Sequence, residues 1–262
     1  MIKTIKTPVA SIYEKPSFAS QMITQALMWE PVEILDETYN WYRIRQWDHY
    51  TGWVNSFYLT DNTFEDEGGF HIYDRFCPVY SEAVDDSFVI SELSIGSRLP
   101  GECILEVDDG REKILLPDLA SGWISRQQKP NHTLNNNIVN FATKLIGIPY
   151  LWGGKSGFGF DCSGFVQTVY LLAGIELPRD SKDQVSYSNF VDISIQNANP
   201  GDLIFFSEDE KISHVGIYLN DGKFIHCSGE VKINSFNSTD KIYSESLHQK
   251  IHSVKSIQNI LI

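Results

Sequence analysis

Nowhere in this 262-residue chain is there an apolar run approaching the roughly 20 residues that a bilayer-spanning helix needs. Cysteine is scarce: Cys77, Cys103, Cys162 and Cys227 are the only four, and no two form a CxxC pair. That is too few for a disulfide scaffold and favours a reducing compartment, where each is a buried apolar side chain or a reactive thiol. The opening Met1-Ile2-Lys3-Thr4-Ile5-Lys6-Thr7-Pro8 lacks the apolar stretch of a secretory signal, so the expected location is the cytoplasm. Positive charge is in deficit, 21 Lys and Arg against 34 Asp and Glu, net −13. Residues 1–128 carry 21 acids and 10 bases (net −11), residues 129–262 only 13 acids and 11 bases (net −2). Such an acidic front half repels phosphate backbones and anionic lipid, so neither nucleic acid nor a membrane is an expected partner.

Material for packed cores is ample. Hydrophobic residues make up 42% and aromatics 13%, which excludes a disordered chain. At roughly 100–200 residues per domain, the length suggests two domains, or three if some are small. The first 128 residues read as short strands broken by turns, and Thr51-Gly52-Trp53-Val54-Asn55 is echoed 70 residues later by Ser121-Gly122-Trp123-Ile124-Ser125. Two all-β modules follow, at 1–61 and 62–128, separated by the acidic, turn-rich Asp61-Asn62-Thr63-Phe64-Glu65-Asp66-Glu67-Gly68-Gly69. The order Pro16-Ser17, Thr24-Gln25-Ala26-Leu27, Glu30-Pro31-Val32, Trp41-Tyr42-Arg43-Ile44 and Tyr50-Thr51-Gly52-Trp53-Val54 resembles a bacterial SH3-like domain. The second module matches that pattern mainly at Gly122-Trp123-Ile124. Trp53 and Trp123 are expected to be ordinary core aromatics of small barrels.

After Pro130-Asn131-His132 the pattern changes to helix, glycine-rich loop, helix and strands, an α+β domain at 129–262. The first helix is expected over 136–146. A second is expected after Cys162, with Phe165, Val166, Val169 and Leu172 on one face and Gly174 at its end. Asp161 and Ser163 both suit a helix start. Cys162 would then sit where unpaired N–H groups and the helix dipole favour an anion, which predicts a lowered thiol pKa and a nucleophile.

A thiolate nucleophile needs a base, and the base an orienter. His214-Val215-Gly216-Ile217-Tyr218-Leu219 and Lys223-Phe224-Ile225-His226-Cys227 flank Asn220-Asp221-Gly222, a hairpin signature. With a three-residue loop Leu219 faces Lys223, His226 faces Gly216, and His214 shares the face of His226. A two-residue loop would put the histidines on opposite faces. Cys227 alternates away from His226 and is expected in the core. Cys162 with two histidines could form a zinc set, yet no close ligand pair such as HExxH is present. Neither a metal nor a cofactor is expected. Toward the end, 241–262 reads as a polar linker and a strand over 256–261, with His248 and His252 on the surface.

The set Asp161-Cys162-Ser163-Gly164-Phe165, Gly201-Asp202-Leu203-Ile204-Phe205-Phe206, His214-Val215-Gly216-Ile217-Tyr218 and Ile225-His226 resembles the NlpC family of cell-wall cysteine peptidases. With two SH3-like modules in front, the chain is similar to that family's YkfC type, the γ-D-glutamyl-L-diamino-acid dipeptidyl-peptidases that trim murein stem peptides. The resemblance implies an α+β papain-like catalytic domain preceded by two small all-β SH3-like barrels. It implies Cys162 as nucleophile, His214 as general base and His226 as its orienter, with Tyr150, Asp161, Ser163, Asp180 and Ser181 lining the substrate site. The implied partner is a murein tripeptide or longer stem peptide with a free amino terminus. In this type the first SH3-like module closes the cleft and helps to bind that amine, with Glu14 or Glu30 and Tyr50 or Tyr58 as candidates. Chemistry agrees: Asp180 can hold an ammonium with Ser181 adding a neutral hydrogen bond. Without the resemblance, Asp180 reads as a loop charge pairing with Arg179. Tyr150 can donate to a developing oxyanion beside the backbone N–H of Cys162, although a packing role is hard to separate. The alternatives are a secreted wall-remodelling endopeptidase and a murein-peptide-binding protein with an inactive peptidase domain.

Overall fold

The computed structural model describes residues 1–84, 86–108, 110–127 and 133–257. It divides into two compact units, Met1–Lys129 and Pro130–Ile262. Residues 128–132 and 258–262, where the sequence suggests a module boundary and part of a last strand, lie outside the described residues.

The first unit contains two sheet modules. Strands β1 (Ile2–Ile5), β2 (Val9–Tyr13), β3 (Met22–Leu27), β4 (Pro31–Thr38), β5 (Trp41–Arg45), β6 (Thr51–Asn55) and β7 (Leu59–Thr60) form one sheet in the order β3-β2-β6-β5-β4-β1-β7. In the second, β8 (Phe70–His71) pairs with β11 (Arg98–Leu99). The strands β9 (Phe76–Tyr80), β10 (Val89–Ser94), β12 (Ile104–Asp108), β13 (Arg111–Leu115) and β14 (Ser121–Ser125) run in the order β10-β9-β14-β13-β12. The stretch β3-β2-β6-β5-β4 is thus repeated strand for strand. A Cβ on Gly52 would lie 2.5 Å from Ile12 Cγ2 and 3.1 Å from Tyr13 O, and one on Gly122 would lie 2.5 Å from Val79 Cγ1 and 2.9 Å from Tyr80 O. The same close approach of β6 to β2 and of β14 to β9 therefore requires glycine twice.

Trp53 and Trp123 are not core residues. Side chains alternate along a strand, so Val54 and Ile124, both fully buried, take the inner face and each tryptophan is left half-buried on the outer one. There the Lys113 ammonium lies 5.7 Å from the Trp123 ring. Trp29 does reach a core: it packs with Met28 among Ile72, Val79 and Ile124 of the second module and donates from Nε1 to Leu115 O at 3.2 Å.

The second unit begins with α1 (Leu134–Lys144), then the short hairpin β15 (Lys155–Ser156) and β16 (Gly159–Phe160), α2 (Cys162–Leu172) and α3 (Ser181–Gln184). An antiparallel sheet of β17 (Phe190–Ile193), β18 (Leu203–Glu208), β19 (Lys211–Asn220), β20 (Lys223–Ser228), β21 (Glu230–Ser235) and β22 (Ile251–Ile257) runs in the order β17-β22-β18-β19-β20-β21, with α4 (Glu245–His248) before its last strand. Helix α2 packs on β19 and β20 on one side and α1 on the other. It is consequently buried all round, from Ser163 through Tyr170 and again at Leu172, rather than on the single face its periodicity suggests. Strand β22 starts five residues before the expected 256 and fits between β17 and β18, with Val254 and Lys255 paired on both sides. His248 and His252 are exposed, as expected.

The β19–β20 hairpin reaches the expected histidine register by a different route. Its turn is the two-residue Asp221-Gly222, both at positive φ (47° and 74°), and Asn220, not Leu219, faces Lys223. A bulge between Tyr218 and Asn220 absorbs Leu219 and restores Tyr218↔Phe224 and Gly216↔His226. The extra residue cancels the parity change that a two-residue loop alone would cause.

Candidate active site

Cys162 is the first residue of α2. Asp161 caps the helix, its Oδ1 accepting from Gly164 N at 2.7 Å, while its Oδ2 accepts from Gly153 N at 3.0 Å in the preceding loop. The cap is itself held by a cation. Arg179 Nη2 donates to Asp161 Oδ2 at 2.6 Å and Nη1 to Oδ1 at 3.0 Å, and Nη1 also donates to Ser163 Oγ at 3.0 Å. Ser163 Oγ in turn donates to Asp161 Oδ1 at 3.2 Å. Asp161 and Ser163, expected to line the substrate site, have side-chain polar atoms that hold the helix start. Two parallel N–H···O bonds fit the Arg179 guanidinium to the Asp161 carboxylate. Asp180 precedes α3, with its carboxylate 3.5 Å from Lys182 Nζ, and Ser181, half-buried, opens that helix.

The thiol is not depressed as the helix-terminus argument predicts. Burial pushes Cys162 up to about 11 and the Asp161 carboxylate adds to this. Backbone N–H groups of Val215 and Ser163, which hydrogen-bond the sulfur, and the Arg179 guanidinium act the other way. The Val215 contact brings the nucleophile against β19, at the residue following His214. Tyr150 lies beside the same sulfur: burial first, then the negative charge of Cys162, raises its phenol to about 12, so it stays a hydrogen-bond donor. Cys227, fully buried as expected, donates to Phe160 O at 3.1 Å.

Three strands supply one polar chain. His214 Nε2 on β19 is 2.7 Å from His226 Nδ1 on β20, and His226 Nε2 is 2.8 Å from Asn234 Oδ1 on β21. Asn234 Nδ2 donates to Ile242 O at 2.8 Å, which orients the amide with its oxygen toward the ring. Phe206 and Phe224 flank the rings at 5.5 and 5.1 Å between centroids. Burial in this apolar setting lowers His214 to about 3 and His226 to about 4, with Lys232, across from His226 in register, disfavouring charge on both. Both imidazoles are therefore neutral near pH 7.

Arg179 was legible only as a neighbour of Asp180, since its partner lies 18 residues back across a loop. Asn234 had a findable signal. The tight β20–β21 turn pairs Ser228 with Glu230 and His226 with Lys232, which puts residues 226, 232 and 234 on one face. In the first unit, the Glu30 carboxylate is fixed by Gln46 Nε2 at 2.6 Å and Leu27 N at 3.2 Å, whereas Glu14 is exposed. Tyr50 and Tyr58 are both half-buried. Among the described residues no group of three or more His, Cys, Asp or Glu converges as metal ligands.

Residues 147–252 match the NlpC/P60 family and residues 8–60 the bacterial SH3 domain. A γ-D-glutamyl-L-lysine dipeptidyl-peptidase of Bacillus cereus is 31% identical over 230 residues, spanning 79% of this chain and 68% of that protein. Dipeptidyl-peptidase 6 of Lysinibacillus sphaericus is 28% identical over 269 residues, spanning 95% of this chain and 97% of its own. Among solved structures, an NlpC/P60 family protein from Bacillus cereus has a TM-score of 0.82 at 23% identity, covering 98% of this chain and 99% of that one, a likeness of fold. With kinship at this level over most of both sequences, the chain belongs to the NlpC/P60 family of cysteine peptidases and carries a bacterial SH3 domain in its N-terminal part.

Proposed function

We propose that this peptidase hydrolyses the γ-D-Glu–L-Lys or γ-D-Glu–diaminopimelate bond of murein stem peptides that begin with a free L-Ala, releasing L-Ala-γ-D-Glu during murein peptide recycling in the cytoplasm. Cys162 is the nucleophile, His214 the general base and His226 its orienter. The observation that carries the reading is the 2.7 Å link between His214 Nε2 and His226 Nδ1, on the strand whose next residue donates its N–H to the Cys162 sulfur. The dipeptidyl-peptidase names of the relatives from Bacillus cereus and Lysinibacillus sphaericus support the substrate class.

In this reading His214 takes the thiol proton as sulfur attacks the γ-carbonyl carbon of D-Glu, and the carbonyl oxygen becomes an oxyanion. Tyr150 and the backbone N–H of Cys162 donate to that oxygen. The protonated His214 passes its proton to the leaving amine, the C–N bond breaks, and a thioester remains. Water then gives a proton to His214 while its oxygen attacks the thioester, and the thiolate leaves and is reprotonated. Asp180 and Ser181 bind the substrate ammonium in this scheme.

Mass spectrometry of products from L-Ala-γ-D-Glu-L-Lys and its N-acetylated twin tests the proposal. Release of L-Ala-γ-D-Glu from the free-amine peptide alone is expected. Equal cleavage of both peptides overturns the free-amine requirement and favours an endopeptidase. No cleavage of either overturns the substrate assignment.

A further inference from the structure

We propose that Asn234 is a positioning residue of the catalytic chain: by accepting from His226 Nε2 it dictates which ring nitrogen of His214 is free to take the thiol proton. The inference rests on the roles given above to Cys162, His214 and His226.

Each link follows from the one before. The Ile242 carbonyl accepts from Asn234 Nδ2, so Oδ1 is the atom presented to His226, and an amide oxygen can only accept. His226 must therefore carry its proton on Nε2. A neutral imidazole has one donor and one acceptor, so His226 Nδ1 accepts, and the 2.7 Å contact makes His214 Nε2 the donor. The remaining nitrogen of His214, Nδ1, is left without a proton, as a general base requires. Remove the acceptor at 234 and His226 is free to carry its proton on Nδ1. That proton would point at His214 Nε2, move the His214 proton to Nδ1 and block the base. A wrong tautomer of this kind is a recognised cause of large rate loss in triad enzymes.

The identity of residue 234 matters beyond geometry. The groups that face His226 are His214 from β19 and Lys232 and Asn234 from β21. An uncharged acceptor orients the ring without favouring imidazolium. A carboxylate would orient it equally well and stabilise the charged form.

The test compares the full chain with its Asn234→Leu, Asn234→Asp and His214→Ala variants. Steady-state cleavage of the tripeptide is read together with the pH dependence of Cys162 alkylation by iodoacetamide, followed by peptide mass spectrometry. Asn234→Leu should lower kcat by about 10- to 100-fold with KM within about threefold, and slow alkylation near pH 7 in the same direction as His214→Ala. Asn234→Asp should keep kcat within about threefold at pH 8 and move the acid limb of both profiles up by about one unit or more. The lost donor to Ile242 is tolerable because Ile242 is 40% exposed and water can replace it, so this variant serves even if the leucine variant does not fold. Wild-type kcat and alkylation in Asn234→Leu, or an unmoved acid limb in Asn234→Asp, would overturn the inference. Unchanged alkylation in His214→Ala would instead overturn the base assignment, and this inference with it.

Discussion

Arg179 Nη2 stands 2.6 Å from Asp161 Oδ2, with the arginine side chain 1% and the aspartate 13% exposed. Asp161 caps the helix that begins at the nucleophile, so a loop cation governs both the position of the helix start and the charge beside the sulfur. Breaking a buried pair by removing one partner typically costs about 3–5 kcal/mol, because the other charge is left uncompensated. Arg179→Met should therefore lower the melting temperature and shift Cys162 alkylation to higher pH, since the unneutralised carboxylate opposes a thiolate. Adding Asp161→Asn keeps an acceptor for Gly164 N and removes that charge. The double variant should recover most of the alkylation shift; a thiol profile that stays put in Arg179→Met would contradict this role.

The two imidazoles lie far enough below their ordinary value to make a second prediction. His214 falls from 6.5 to about 3 and His226 to about 4, in both cases mainly by burial. A lowered histidine pKa means that the neutral, base-competent form persists below pH 6.5. kcat/KM should change by less than about threefold between pH 7 and pH 5, with the acid limb appearing near pH 4. Stability behaves differently. The unfolded chain binds protons on these histidines below pH 6.5 and the folded one does not, so the stability present above 6.5 is lost as pH falls toward 4. An acid limb centred at 6.5 in fully folded protein would show that the pair is not held neutral.

The matched glycines of the first unit give a stability test. A methyl at position 122 would meet Val79 Cγ1, fully buried, at 2.5 Å and the backbone Tyr80 O at 2.9 Å, and neither is free to retreat. Gly122→Ala should cost about 1–3 kcal/mol by overpacking. Val79→Ala alone leaves a cavity, yet in combination the new methyl occupies part of it. The double variant should thus melt higher than the sum of the two losses implies, and strict additivity would mean that the two sites do not touch.

What could be read before the fold was known divides along physical lines. The start of α2 was legible because a helix cap is a local device: Asp161, Cys162 and Gly164 lie within one turn. The histidine pair was legible through strand parity, although the bulge at Leu219 was not, because period-two counting cannot tell a three-residue loop from a two-residue turn with an inserted residue. Trp53 and Trp123 were misread since size suggests burial while the alternation with Val54 and Ile124 decides it. The thiol shift was misread because the dipole argument is local, whereas burial by β19 and the Asp161 charge depend on packing that only the fold reveals. Arg179 needed a contact across a loop that no periodicity encodes.

Tyr150 offers the sharpest separation of packing from chemistry at the site. Its phenol is raised to about 12, partly by the neighbouring sulfur, so it remains protonated across the working range and able to donate. If it stabilises the oxyanion, Tyr150→Phe should lower kcat by about 10- to 100-fold while leaving KM and melting temperature nearly unchanged, because the ring and its packing stay. If it only packs, kcat will hold. Loss of KM with kcat intact would point instead to a contact made equally with substrate and transition state, which places the hydroxyl on the bound peptide rather than on the reacting carbonyl.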